Sequence, residues 1–147
     1  MHLLCNLIQI FCKLIQFPVP PLFLSEHCYV KGDREYLEQV VDNYITNALE
    51  YTDIGGNIRL TLKKTDGNIR VSVYNEGRQI PEEDLEHIWS GYYRNKKEKR
   101  REEKGFVHAG LGLYIVQNIV TMHNGSYGVE NLPSGVEFWF TLPEYAE

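Results

Sequence analysis

Residues 39–52 read QVVDNYITNALEYT, and the pattern they belong to begins a few positions earlier. Leu37, Val40, Val41, Tyr44, Ile45, Ala48 and Leu49 recur at i, i+3, i+4 and i+7, which predicts one core-facing stripe on a helix from about Arg34 to Tyr51. Asp33 precedes it as a suitable N-cap. Asn43 and Asn47 stack one turn apart at the rim of this stripe, with Glu50 beside them. An Asn oxygen is a reasonable neutral ligand for Mg²⁺, which keeps several waters and takes further oxygens from a phosphate. Two carboxamides at a helix rim are also ordinary polar surface positions, and the spacing alone leaves both readings open.

Upstream, residues 1–24 hold 16 apolar residues, prolines aside, and the single charge of Lys13. The run is interrupted by Asn6, Gln9, Lys13 and Gln16 and stopped by Pro18, Pro20 and Pro21. It falls short of the ~20 continuous apolar residues of a transmembrane helix. It also lacks the basic start and small-residue cleavage site of a signal peptide. The polar positions 2, 6, 9, 13 and 16 make a narrow stripe at helical spacing. They predict a helix packed on the domain or a partner, with a membrane-lying helix or a remnant of a longer protein as alternatives. Residues 22–30 read as a first strand.

Downstream, Ile58, Leu60 and Leu62 alternate with polar residues, as do Ile69, Val71 and Val73, and Asp66-Gly67 between them predicts a β-hairpin. Pro81 opens a short helix with Glu82, Glu83 and Asp84 in its first turn. Residues 111–122 form a second long helix, ended by Asn124-Gly125. Residues 126–129 and 136–142 are two last strands, turned at Pro133-Ser134-Gly135. Helices and strands intersperse without strict βαβ alternation, so the expected architecture is a two-layer α/β sandwich with a mixed sheet.

The 147 residues suit one domain, and 43% hydrophobic with 24% charged residues is an ordinary globular balance. A net charge of −5 argues against nucleic acid or an anionic membrane as the partner of the whole chain. Cys5, Cys12 and Cys28 have no CxxC spacing, which excludes a disulfide framework or zinc knuckle and fits a reducing cytoplasm.

Two further constellations carry chemistry. Residues 75–81, NEGRQIP, follow a strand: an amide that both accepts and donates stands two residues before a glycine that permits close approach of a flat ligand. A plain strand-to-helix turn has the same composition. Residues 105–113 bring Gly105, Gly110 and Gly112 to the start of a helix, where free N–H groups bind phosphate. The motif is neither a Walker A loop nor a dinucleotide fingerprint. Before it, residues 94–104 carry seven basic and three acidic residues, a lid or a solvated charge run.

Taken in order, these pieces resemble the bacterial sensor histidine kinases. Residues 39–52 are similar to their asparagine box and NEGRQIP to the first glycine box. IWSGYYR (residues 88–94) is similar to the phenylalanine box and AGLGLYIVQNIV (residues 109–120) to the second glycine box. HNGSYGVEN and GVEFWFTLP are similar to the last strands. The match spans about residues 22–143, and an Asn in place of the first glycine box's usual Asp resembles the vancomycin-resistance type. The resemblance implies a Bergerat-type ATP-binding sandwich, shared with gyrase and MutL, over residues 22–147, with residues 1–21 as an apolar segment outside it.

It also implies roles. Asn47 would ligate Mg²⁺ and Asn43 would contact phosphate or the metal's waters. Tyr51 would pack on adenine, Asn75 would accept from the adenine amine, and Gly77 would let the base approach the backbone. Arg94 would lie near the γ-phosphate. Gly110, Leu111 and Gly112 would shape the phosphate cradle. Ile80, Tyr93 and Leu113 complete the nucleotide-binding set, and residues 95–109 would be an ATP lid that nucleotide orders.

Three positions depart from the pattern. Glu50 replaces a frequent Lys and sets a carboxylate near phosphate, Gln79 replaces the box's second glycine, and His108 replaces the first glycine of the second box. An Asn at 75 loses charge assistance in its bond to adenine, which predicts weaker but surviving binding. His2, His27, His87, His108 and His123 are each followed by a non-acidic residue, so none fits a phosphoacceptor box. The expected function is therefore a cytoplasmic Mg-ATP-binding catalytic domain of a histidine kinase that is inactive alone. It would present the γ-phosphate to a His on a separate dimerisation domain and serve a response regulator indirectly, in a full-length kinase anchored in the membrane. The alternatives are a non-catalytic relic or adaptor and an anti-sigma-type serine kinase.

Overall fold

The computed structural model describes residues 3–6, 28–91 and 111–145. In chain order these form β1 (Leu3–Asn6), β2 (Tyr29–Gly32), α1 (Arg34–Tyr51), β3 (Ile58–Thr65), β4 (Asn68–Glu76), a 3-10 turn at Glu82–Asp84, α2 (Gly112–Met122), β5 (Ser126–Leu132) and β6 (Gly135–Pro143). A four-stranded sheet in the order β3-β4-β6-β5 lies under α1 and α2, and β1-β2 form a separate two-stranded ribbon.

Local chemistry explains most of these elements. Asp33 caps α1, its carboxylate accepting from the N–H groups of Glu35 and Tyr36 at 3.0 and 3.2 Å. The β3-β4 hairpin closes through Asp66 and Gly67, both at positive φ (49° and 77°), the pair that a type I′ turn needs. Asn124, at φ 61°, ends α2 in the left-handed conformation. The inner face of the sheet presents Ile69, Val71, Val73, Val136, Phe138, Phe140 and Leu142, all buried against Leu37, Val40, Val41, Tyr44 and Ala48 of α1 and Val116, Ile119 and Val120 of α2. On the outer face Arg59 stacks over Tyr74 and Arg70 over Trp139, with 4.7 and 4.4 Å from guanidinium to ring centroid.

The structure differs from the sequence expectation at several points. Leu3–Asn6 form a strand, antiparallel to Tyr29–Gly32, where helical spacing predicts a helix. A free strand edge supplies backbone partners that no local periodicity reveals. Of the strand expected over residues 22–30, Tyr29 and Val30 lie in β2, which runs on to Gly32, and residues 22–27 lie outside the described residues. The sandwich is the one expected, but every pairing in its four-stranded sheet is antiparallel, not mixed. The reason is that the second hairpin inserts with β6, not β5, against β4; β5 in that place would have run parallel. Leu49 is 66% exposed while Asn47 is 9% exposed. On a wheel of about 100° per residue Leu49 lies about 120° from Leu37, whereas Asn47 lies about 80° away on the other side. Residues 92–110, with the expected lid, lie outside the described residues.

Candidate functional site

The C-terminal half of α1 and the start of α2 meet at the two asparagines. A β-carbon on Gly112 would stand 3.6 Å from Asn43 Oδ1, so the first residue of α2 faces this carboxamide directly. Asn43 Nδ2 is buried and has no hydrogen-bond partner among the described residues. An amide donor held this way costs about 1–3 kcal/mol unless something accepts from it. Asn47, one turn on, is buried beside the core stripe.

The end of α1 and the end of β4 build a second wall. Asn75 is 2% exposed, and its Nδ2 faces the Tyr51 carbonyl oxygen at 3.5 Å. That engages one of the two amide hydrogens, orients the group, and leaves Oδ1 as its acceptor. A β-carbon on Gly77 would lie 2.7 Å from the same Tyr51 oxygen, so residue 77 has no room for a side chain. The Asp53 N–H donates to Glu76 O at 3.2 Å and Gly77 N–H to Ser134 O at 3.0 Å, which ties the loop after β4 to α1 on one side and to the β5-β6 turn on the other. Ile80 and Leu113 pack partly buried against the core. Leu111 accepts from the Ile115 N–H at 2.9 Å, the first turn of α2.

Asn43, Asn47, Tyr51, Asn75, Gly77, Ile80, Leu111, Gly112 and Leu113 therefore sit on segments that converge at one end of the two helices. Tyr93, Arg94, Gly110 and His108 lie outside the described residues. No group of three or more His, Cys, Asp or Glu side chains poised for a metal occurs among the described residues. Burial pushes the Tyr44 hydroxyl well above its ordinary pKa of 10.0, with nearby Tyr127 adding in the same direction. Neutral, it donates to the Trp139 carbonyl at 3.0 Å and belongs to the core. Sequence reasoning missed Asn131, which binds both backbone groups of Ile80 from 51 residues away; contacts at that separation leave no periodic signal.

Residues 32–146 match the family of histidine kinase-, DNA gyrase B- and HSP90-like ATPases. The chain belongs to this ATPase family. Within it, the chain is similar to the adaptive-response sensory kinase SasA of Microcystis aeruginosa, 38% identical over 118 residues that cover 79% of this chain and 29% of that protein. It is also similar to the sensor histidine kinase CusS of Escherichia coli K12, 34% identical over 121 residues, 82% of this chain and 25% of that one. The chain thus spans less than a third of these curated relatives. The catalytic domain of histidine kinase ThkA, solved nucleotide-free, superposes with a TM-score of 0.79 at 30% identity, covering 98% of this chain and 96% of that one. The ATPase-family fold here is that of the catalytic domains of sensor histidine kinases. No helix among the described residues is long and apolar enough to cross a membrane.

Proposed function

We propose that this domain binds Mg-ATP between α1, the loop after β4 and the start of α2, and presents the γ-phosphate to a histidine carried by a separate dimerisation domain. The observation that supports it best is the Asn43 amide: a buried donor without a partner among the described residues, facing Gly112 at a helix start. A phosphate oxygen would accept from it. Asn47 would supply a neutral oxygen to Mg²⁺, and Asn75 Oδ1 would accept from the adenine amine while Tyr51 packs on the ring. Arg94, with Gly110 and Leu111, would complete the phosphate side. When bound, Mg²⁺ offsets the charge of the phosphate oxygens. The chain's own residues bind and orient; phosphoryl transfer depends mainly on such positioning.

The histidine acceptor comes from outside this sequence, whose five histidines lack the phosphoacceptor pattern. Histidine kinase ThkA, 28% identical over 98% of this chain with a TM-score of 0.73, has been solved in complex with the response regulator TrrA, which supports a response regulator as the downstream partner. A need for ATP favours a cytoplasmic setting. Kinship with the vancomycin-resistance type rests on Asn75 alone.

Calorimetry with ATP and ADP, each with Mg²⁺ and with EDTA, tests the reading. The chain is expected to bind ATP tightly only with Mg²⁺, and Asn47→Ala is expected to erase that difference while keeping the EDTA-level affinity. Equal affinity with and without Mg²⁺ in the unmodified chain would remove Asn47 from the metal role.

A further inference from the structure

The loop after β4 is held by side chains that lie outside the proposed nucleotide-binding set. Gln79 Nε2 donates to the Leu132 carbonyl at 2.6 Å. At Ile80 a single side chain takes both backbone groups: the N–H donates to Asn131 Oδ1 at 2.9 Å, and Asn131 Nδ2 donates to the Ile80 carbonyl at 2.8 Å. A primary amide offers one acceptor and one donor side by side, so Asn131 pairs with Ile80 much as a neighbouring peptide unit would. Both anchors sit at the end of β5, next to Ser134, which accepts from Gly77. The β4-β6 register, with Asn75 opposite Val136 and Glu76 opposite Gly135, leads straight into these contacts. The loop is thus fastened along the β5-β6 hairpin from Asn75 to Ile80. An open cleft of about 780 Å³ flanks it, lined by Arg78, Pro81, Glu82 and Leu85 among others.

We infer that Asn131 and Gln79 are positioning residues for the nucleotide: a carboxamide clamp that fixes the Asn75-to-Ile80 loop in the conformation on which adenine lies. The inference rests on the ATP reading above. Neither side chain needs to touch the ligand. Their three hydrogen bonds hold one loop conformation, and when a binding-competent conformation becomes rarer, apparent affinity falls by the same factor. Gln79 then has a definite task at the position where the resemblance leads one to expect a glycine.

The test uses the full 147-residue chain, with calorimetry for ADP and ATP under conditions where each variant is fully folded by circular dichroism. Asn131→Ala is expected to weaken ADP and ATP by the same factor, about tenfold for two lost neutral hydrogen bonds, because the adenine end is common to both. Gln79→Ala is expected to weaken both by a smaller factor. Asn131→Asp gives a readout that a general loss of stability would not move. When ionised, its second oxygen opposes the Ile80 carbonyl; when protonated, it donates there as the amide does. Its ADP affinity relative to the unmodified chain at the same pH is therefore expected to rise as pH falls through the carboxyl titration. Arg78 and Glu82, the charged side chains lining the cleft, are common to both proteins. A flat ratio, or undiminished ADP binding by Asn131→Ala, overturns the clamp and leaves the ATP reading intact. An unmodified chain that binds no adenine nucleotide overturns the ATP reading and the clamp with it. Should Asn131→Ala fail to fold, Gln79→Ala and Asn131→Asp decide alone.

Discussion

Asn43 carries a conflict between stability and binding. Its Nδ2 is buried with no acceptor among the described residues, which costs the ligand-free domain about 1–3 kcal/mol. Asn43→Ala removes the orphaned donor and adds a better helix former. Without nucleotide the variant is expected to match or exceed the parent in urea unfolding, by up to about 1 kcal/mol, while binding ATP more weakly. A variant that is less stable yet binds ATP unchanged would make Asn43 a structural polar group. The pair Asn43 and Asn47 was legible from spacing alone, as a stacked couple at the rim of the stripe. Burial of Asn47 in preference to Leu49 was not, because it depends on which side of α1 the start of α2 covers.

At the level of elements, the two helices are joined at the end remote from the site. His123 Nε2 accepts from the Asp33 backbone N–H at 3.0 Å, and since a peptide N–H can only donate, the ring proton sits on Nδ1 and points to the Ile119 carbonyl at 2.8 Å. The imidazole thus links the N-cap of α1 to the last turn of α2. His123→Ala is expected to lower unfolding stability by about 2 kcal/mol, from the lost bond to the Asp33 N–H and the lost packing of a buried ring. Nucleotide affinity is expected to stay unchanged, since α2 places about 16 Å between its two ends. A loss of ATP affinity with unaltered stability would contradict this. The hairpin at Asp66-Gly67 and the cap at Asp33 were readable because each is written in adjacent residues. The strand at Leu3–Asn6 was not, because its pairing is with Tyr29–Gly32, more than twenty positions away.

For the whole molecule, the fastened loop, the two asparagines and the helix start make up the proposed nucleotide surface, and the sequence carries no phosphoacceptor motif. With radiolabelled Mg-ATP, the isolated chain is expected to show no acid-labile phosphate, and label is expected on a histidine-containing dimerisation domain supplied in trans. Labelling of the chain alone that persists after replacement of all five histidines would point to another acceptor and favour the serine-kinase alternative.

Sequence by itself determined the order of elements from α1 onward, the cap at Asp33, the tight turn and the residues that carry the family resemblance. These are local: caps, turn dihedrals and stripe periodicity act between residues a few positions apart. Only the tertiary structure decided that β6 rather than β5 adjoins β4, that the Asn43 donor has no acceptor among the described residues, and that Asn131 and Gln79 hold the loop after β4. Each of these depends on which strand meets which edge. That choice is made by burial of a shared face and by backbone pairing across tens of residues.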